Sequence, residues 1–396
     1  MSDPTVGVYV HVPFCERICP YCDFAVVATR SLARDTERRY VAALLRELEL
    51  RMEQGEFAGR RLASLYLGGG TPSLLEPESV ARIVDGVREA FAEHDQRGIA
   101  PEITLEVNPS TLERGRLPGF RDAGVGRLSI GVQSFDDTVL KNLGRAHRAE
   151  ESHTTLRAAR EAGFANVSVD LIFAAPGGSL EQLDRDLDAL VEYAPQHVST
   201  YELTIEEGTP FALAAERGQL KAADEADAVG ALERIEERLS QVKIARYEIS
   251  SHAKPGFESR HNQRYWRREP VLGLGMGAWS SFPASAEAPL GGRSSNPRLV
   301  PSYLGRIEAG EVATEHRELL DAATARGEAV FLALRHVDGL AGSAFAEEFG
   351  GPPRAFFAEE LDSLVEAGLI LESEPGDLRL SERGRLLADS VAAQFL

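Results

Sequence analysis

With 396 residues and 43% hydrophobic content, the chain can bury a large core, and its length suggests one large domain and a smaller one. A formal net charge of -19 at neutral pH argues against a nucleic-acid partner, which needs a basic surface. No uninterrupted apolar stretch reaches the roughly 18 residues of a membrane span, and MSDPTVGVYV lacks a basic segment ahead of an apolar signal core, so a cytoplasmic protein is expected. In chain order, VGVYVHV (6–12) is a short β-branched run that reads as a buried strand. Directly behind it, HVPFCERICPYCDFA (11–25) carries all three cysteines, Cys15, Cys19 and Cys22, spaced C-x3-C-x2-C, with Phe24 where a further ligand would fall. The tight cluster is unlike a secreted disulfide framework, and closed zinc sites take a second C-x2-C pair that is absent here. A 4Fe–4S cluster is normally held by four thiolates, so three leave one iron open to a small molecule.

Further runs read as buried strands: LASLYLGGG (62–70), EITLEV (102–107), GRLSIGVQ (126–133), NVSVDLIF (166–173) and HVSTYEL (197–203). Helical periodicity covers 34–53, 77–93, 111–122, 149–162 and 179–192 between them. Strand alternating with helix implies parallel pairing through crossovers, an α/β fold whose site gathers at the C-terminal ends of the strands. There stand the glycine turn GGGTPS (68–73), Glu106 in LEVNP and Gln133 in GVQSF, with Arg145 in LGRAH and Asp170 inside the fifth run. The turn allows close backbone approach and offers N–H groups to a ligand. Buried acids such as Glu106 and Asp170 suit either a structural base or an ammonium. ESRHNQRYWRREP (258–270) is a basic patch in an acidic chain. VLGLGMGAWSS (271–281) alternates glycines without the strand–turn–helix context of a dinucleotide site. SFPASAEAPLGGRSSNPRLVP (281–301) reads as a surface loop or linker. A core is therefore expected over 1–280, a linker over 281–301 and a separate unit over 302–396, with several amphipathic helices and small strands at GLIL and LRLS around a Pro-Gly turn.

The C-x3-C-x2-C loop behind an N-terminal strand resembles the radical S-adenosylmethionine (SAM) superfamily. The resemblance implies a partial (β/α)6 barrel, a 4Fe–4S cluster on Cys15, Cys19 and Cys22, and SAM on the open iron. It carries SAM contacts onto Tyr9, Gly70, Thr71, Glu106, Gln133, Arg145 and Asp170, with Arg145 for the carboxylate and the acids and Gln133 for the ammonium and ribose. Ala278 and Trp279 are expected to pass the adenine, and His11 to shape the cysteine loop.

Within the superfamily the chain resembles the oxygen-independent coproporphyrinogen III oxidase branch, where two groups compete. The oxidases continue C-x3-C-x2-C-x-C and carry an N-terminal extension, whereas here Phe24 ends the motif and eight residues precede Tyr9. HNQRYW (261–266) matches the H-N-x-x-Y-W signature of the HemW group, described as haem-binding chaperones. All three features favour that group. It implies haem as a further cofactor, with His261 as candidate iron ligand and His11, His147 or His252 as alternatives. Tyr265 and Trp266 would pack on the macrocycle, and Arg260, Arg264, Arg267 or Arg268 would meet propionates. The resemblance further implies haem-acceptor proteins, membrane proteins among them, an electron donor such as flavodoxin or ferredoxin, and a winged-helix-like, mainly helical C-terminal domain. Many acids and no basic recognition face set DNA aside for that domain. Coproporphyrinogen decarboxylation, or radical SAM chemistry on an unrelated substrate, are the enzymatic alternatives.

Overall fold

The computed structural model describes residues 4–29, 31–91, 100–221, 223–373 and 376–396. Six strands run parallel and side by side in chain order: β1 Thr5–Val12, β2 Arg61–Gly69, β3 Glu102–Val107, β4 Arg127–Gln133, β5 Asn166–Phe173 and β6 His197–Glu202. Parallel neighbours need crossovers, and helices Arg34–Glu53, Pro77–Ala90, Thr111–Asp122, Ala149–Glu161 and Leu180–Tyr193 supply them. This is the expected partial (β/α)6 barrel. Side-chain caps set two of the helix starts, Ser110 accepting from the Glu113 N–H and Ser179 from that of Gln182. The last two positions of the helix expected over 77–93 lie outside the described residues.

The strands are two-faced. Val6, Val8 and Val10, Leu65 and Leu67, Ile103 and Leu105, and Leu128 and Ile130 are buried in the main core with the helices. Their alternates, Tyr9, Tyr66, Glu106, Ser129 and Asp170 among them, turn to the barrel interior, where Tyr66 bonds Glu106 across β2 and β3 and Ser129 bonds Asp170 across β4 and β5. The helix Arg260–Trp266 closes the N-terminal end of this barrel. Its Arg264 bonds the Thr5 hydroxyl at 3.1 Å, and the His261 N–H meets Glu102 at 3.2 Å.

On its other side β1 pairs in parallel with Val271–Leu274, antiparallel strands Trp279–Phe282, Gly292–Ser295 and His316–Leu319 follow, and the short strands Ser251–Ala253 and Ala245–Arg246 beyond β6 bring the sheet to twelve. The loop or linker expected over 281–301 is thereby corrected: only 283–291 loops between two strands, and a helix begins at Val300. Small residues there serve close packing. A Cβ on Gly292 would strike the Glu318 carbonyl and the Phe282 ring, so glycine marks a tight strand pairing. The helix Val300–Glu308 buries Tyr303, Leu304 and Ile307 in the main core, which moves the start of the second unit from 302 to about 320. That unit packs Val330, Phe345, Leu361, Ile370 and Leu378 in its own core beside a two-stranded wing, Ile370–Ser373 with Asp377–Leu380. Among the described residues, no helix is long and apolar enough to cross a membrane.

His252 lies in a short strand against β6, 1% exposed, with neither ring nitrogen hydrogen-bonded among the described residues. Burial, with Arg246 adding, pulls its pKa down to about 3. Unfolded, the ring takes a proton below about pH 6.5; folded, it stays neutral until far lower, so unfolding gains a proton in that window and stability falls as pH falls. Replacing it by His252→Leu should therefore shift stability relative to wild type in the variant's favour as pH falls from 7 to 5, by at most about 1.4 kcal/mol per pH unit. A difference independent of pH, followed by calorimetry, would contradict this reading.

Candidate functional site

The cysteine loop and the C-terminal ends of β2–β6 enclose a cavity of about 440 Å³. The loop is fastened to the glycine turn by backbone: the Gly70 N–H meets the Val12 carbonyl at 2.9 Å and the Thr71 N–H meets that of Phe14 at 2.8 Å. No side chain fits between them. A Cβ on Gly70 would stand 2.7 Å from the Val12 oxygen and 2.8 Å from that of Phe14. From beneath, the Tyr9 hydroxyl lies 3.0 Å from His11 Nδ1, and His11 Nε2 lies 2.8 Å from the Ala25 carbonyl, so His11 does shape the loop. The turn's N–H groups, expected to face a ligand, are thus engaged in holding the loop, and the Gly69 N–H is taken by Glu106 at 3.0 Å.

Above this interlock a polar chain runs from one cysteine to another. The Thr71 hydroxyl points to Cys15 Sγ at 3.7 Å, and the Asn108 amide donates to Thr71 at 2.9 Å. Arg145 donates to Asn108 at 2.6 Å and reaches Cys19 Sγ at 3.6 Å. Asn108 escaped the sequence reading, yet it stands two positions beyond Glu106 on the same strand face, where period two brings it to the same cavity. Tyr66 and Ser129 are same-face neighbours of the site acids by the same rule.

The cavity gathers Cys15, Cys19, Cys22, Gly70, Thr71, Glu106, Gln133, Arg145 and Asp170. Burial pushes Glu106 up to about 7, against the Tyr66 hydrogen bond and with Asp170 nearby. Asp170 is likewise raised by burial, opposed by its serine partners and Arg127. Gln133 sits at a left-handed φ of 64° at the end of β4, and its amide takes no hydrogen bond among the described residues. A guanidinium near the thiols and deeper carboxylates can hold a zwitterion, the cation on its carboxylate and the acids on its ammonium or hydroxyls.

All three thiols are free and partly exposed. Burial pushes the Cys15 thiol up to about 11, and that of Cys22 is also raised by burial, so they are protonated until a metal displaces the protons. Among the described residues no three His, Cys, Asp or Glu side chains converge on a point that would hold a single ion. A multi-iron cluster takes each thiolate on its own iron, and three free thiols around one cavity fit that need.

Other expected residues lie elsewhere. His261 is 1% exposed, with Nδ1 2.9 Å from Ser64 Oγ and Nε2 3.2 Å from the Tyr265 hydroxyl, and burial pulls its pKa down to about 3. Both nitrogens are engaged inside the barrel, and the ring does not border the cysteine cavity. Nor do the alternatives offer a free, exposed ring: His11 and His147 are buried and bonded to carbonyls, and His252 is buried in its strand. Ala278 is buried and Trp279 faces a different cavity, so neither reaches the cysteine cavity, contrary to the adenine expectation.

The radical SAM superfamily matches residues 9–190, and the HemN C-terminal domain matches residues 320–387. The chain is 33% identical over 392 residues to the haem chaperone HemW of Bacillus subtilis, covering 98% of this chain and 99% of that one. It is 34% identical over 398 residues to that of Mycobacterium tuberculosis, covering 100% and 96%. Among solved structures, coproporphyrinogen III oxidase (HemN) from Escherichia coli, a radical SAM enzyme, superposes with a TM-score of 0.82 at 25% identity, covering 99% of this chain and 90% of that one.

The interlock has a direct test. Gly70→Ala should cost about 1–3 kcal/mol by overpacking and cut the iron retained after anaerobic reconstitution. Gly115→Ala, inside the helix Thr111–Asp122 and with nothing within 4 Å of an added Cβ, should leave the iron content unchanged and the fold as stable or up to about 1 kcal/mol more stable. Equal iron content in the two variants would contradict the interlock.

Proposed function

The chain belongs to the HemW family within the radical SAM superfamily, and from that premise we propose that it is a haem chaperone that binds haem and hands it to acceptor proteins. The supporting observation is likeness to HemW relatives along essentially the whole length of both chains, not over the barrel alone. Cys15, Cys19 and Cys22 would hold the 4Fe–4S cluster of the superfamily, with SAM in the cavity they share with Arg145, Glu106, Gln133 and Asp170. A cluster held there would supply electron-transfer chemistry toward a SAM sulfonium, with Arg145, Glu106 and Asp170 orienting that ligand and setting the charge around it. Membrane proteins are among the acceptors we propose, flavodoxin or ferredoxin is the electron donor, and the cytoplasm is the place of action.

The likeness in fold to HemN favours a second reading, radical decarboxylation of a tetrapyrrole. Phe24 separates the two. It stands where the oxidase motif has its further cysteine and is 63% exposed at the rim of the cysteine cavity, a large apolar side chain in place of a thiol.

Anaerobically reconstituted protein should bind haem near stoichiometrically by visible absorbance, and should release no carbon dioxide from coproporphyrinogen III with SAM and reductant. Turnover to protoporphyrinogen would refute the chaperone reading in favour of the oxidase.

A further inference from the structure

A cavity of about 820 Å³ lies away from the cysteine loop, between the antiparallel extension of the sheet and the C-terminal unit. We propose that this cavity is the haem seat, holding the tetrapyrrole by its rings and carboxylates rather than through a histidine or cysteine on the iron. The proposal rests on the haem-chaperone reading and goes beyond it by giving haem a place apart from the cluster.

The walls call for a flat apolar occupant. Trp279 and Phe282 come from the sheet, and Phe331, Phe356 and Phe357 from the opposite side. Trp279 is 51% exposed, although its strand neighbours Ser280 and Phe282 are buried. The helix Ala322–Ala333 buries Ala325, Gly327, Ala329 and Val330, the last two in the C-terminal core, while Ala323 and Phe331 add a second apolar surface that lines the cavity. A helix with a single partner needs a single apolar face; the second one here borders the cavity. Aromatic walls enclosing several hundred Å³ suit a planar conjugated ring.

The rim suits carboxylates. Arg326, from the same helix, lies over the Phe356 ring with its guanidinium 4.3 Å from the centroid. Arg268 and Arg293 also line the cavity, bonded to Glu348 at 2.8 Å and to Glu318 at 2.6 Å. The two lining acids are ion-paired, Glu269 with Arg264 and Glu328 with Arg293, which it shares with Glu318, so Arg326 is the lining guanidinium with no ion-paired acid among the described residues. A dicarboxylate therefore meets guanidinium groups and no unpaired acid side chain in the lining.

The HNQRYW segment reaches this cavity through Tyr265, and Arg268 follows just behind it, while His261 faces the barrel. No histidine, cysteine or methionine is among the lining residues. The one lining phenol, Tyr265, is bonded to His261 Nε2 at 3.2 Å, and His316, edge-on to Trp279, is not among the lining residues, so a tetrapyrrole held here without an iron bond is one a chaperone can release.

The test titrates the full chain with haemin and with metal-free protoporphyrin IX, and repeats both with Ala323→Trp, which fills the cavity from an exposed helix position, and with Arg326→Glu, which reverses the rim charge. Melting curves check that each variant folds, and either variant suffices if the other does not. Wild type is expected to bind both porphyrins with similar affinity, and each variant to weaken both by about tenfold or more. Undiminished binding in the folded variants, or binding of haemin without protoporphyrin IX, would overturn the seat while leaving the chaperone reading intact. Failure of wild type to bind either porphyrin would overturn that reading itself.

Discussion

Two backbone hydrogen bonds, from Gly70 to Val12 and from Thr71 to Phe14, fix the cysteine loop to the barrel. They need a position without a Cβ, because the Val12 and Phe14 carbonyls stand where a side chain would begin. Parallel pairing of β1 with β2 in register through Val12 and Gly69 brings the two loops out side by side. From that point the polar chain Cys15, Thr71, Asn108, Arg145, Cys19 is a consequence: once the turn is docked, Thr71 faces one thiol and the ends of β3 and β4 deliver the rest.

The interior is built on a compromise between solvation and preorganisation. Glu106, Asp170 and Arg127 sit on strands whose outer faces pack in the apolar core, and burial raises both acids. Hydrogen bonds from Tyr66, Ser129 and Gly69 offset part of that cost without removing the charge capacity. A ligand carrying an ammonium would find acids already oriented. At the opposite end of the barrel His261 and Arg264 act as a plug, tied to Ser64 and Thr5. That gives the HNQRYW segment a structural task distinct from contact with a cofactor.

The strands and crossover helices were legible because each carries its own local signal, a β-branched run or a helical period closed by a cap such as Ser110 or Ser179. The cysteine spacing was legible because three thiols at that interval have few other uses. What could not be read was direction. Asn108 and Tyr66 belong to the site by strand alternation, visible only once Glu106 is known to point inward. His261 stood out because HNQRYW matches the HemW signature, but where its ring points could not be read from sequence, and here it turns into the barrel. The stretch 281–301 looked like a linker because glycine and serine mark loops and tight strand pairings alike, and tertiary neighbours alone tell them apart.

The structure thus has two separate cavities, a polar one under the cysteine loop and an aromatic one against the C-terminal unit. Helix Ala322–Ala333, with Phe356, Phe357 and Phe395 of the C-terminal unit, forms one wall of the second. The most direct measurement of this separation is a haemin titration of the chain with Cys15, Cys19 and Cys22 all changed to serine. Separate sites predict the same stoichiometry and an affinity within a factor of about two of wild type, although no cluster can form. Loss of haemin binding together with the cluster would contradict the account and put haem at the cysteine cavity.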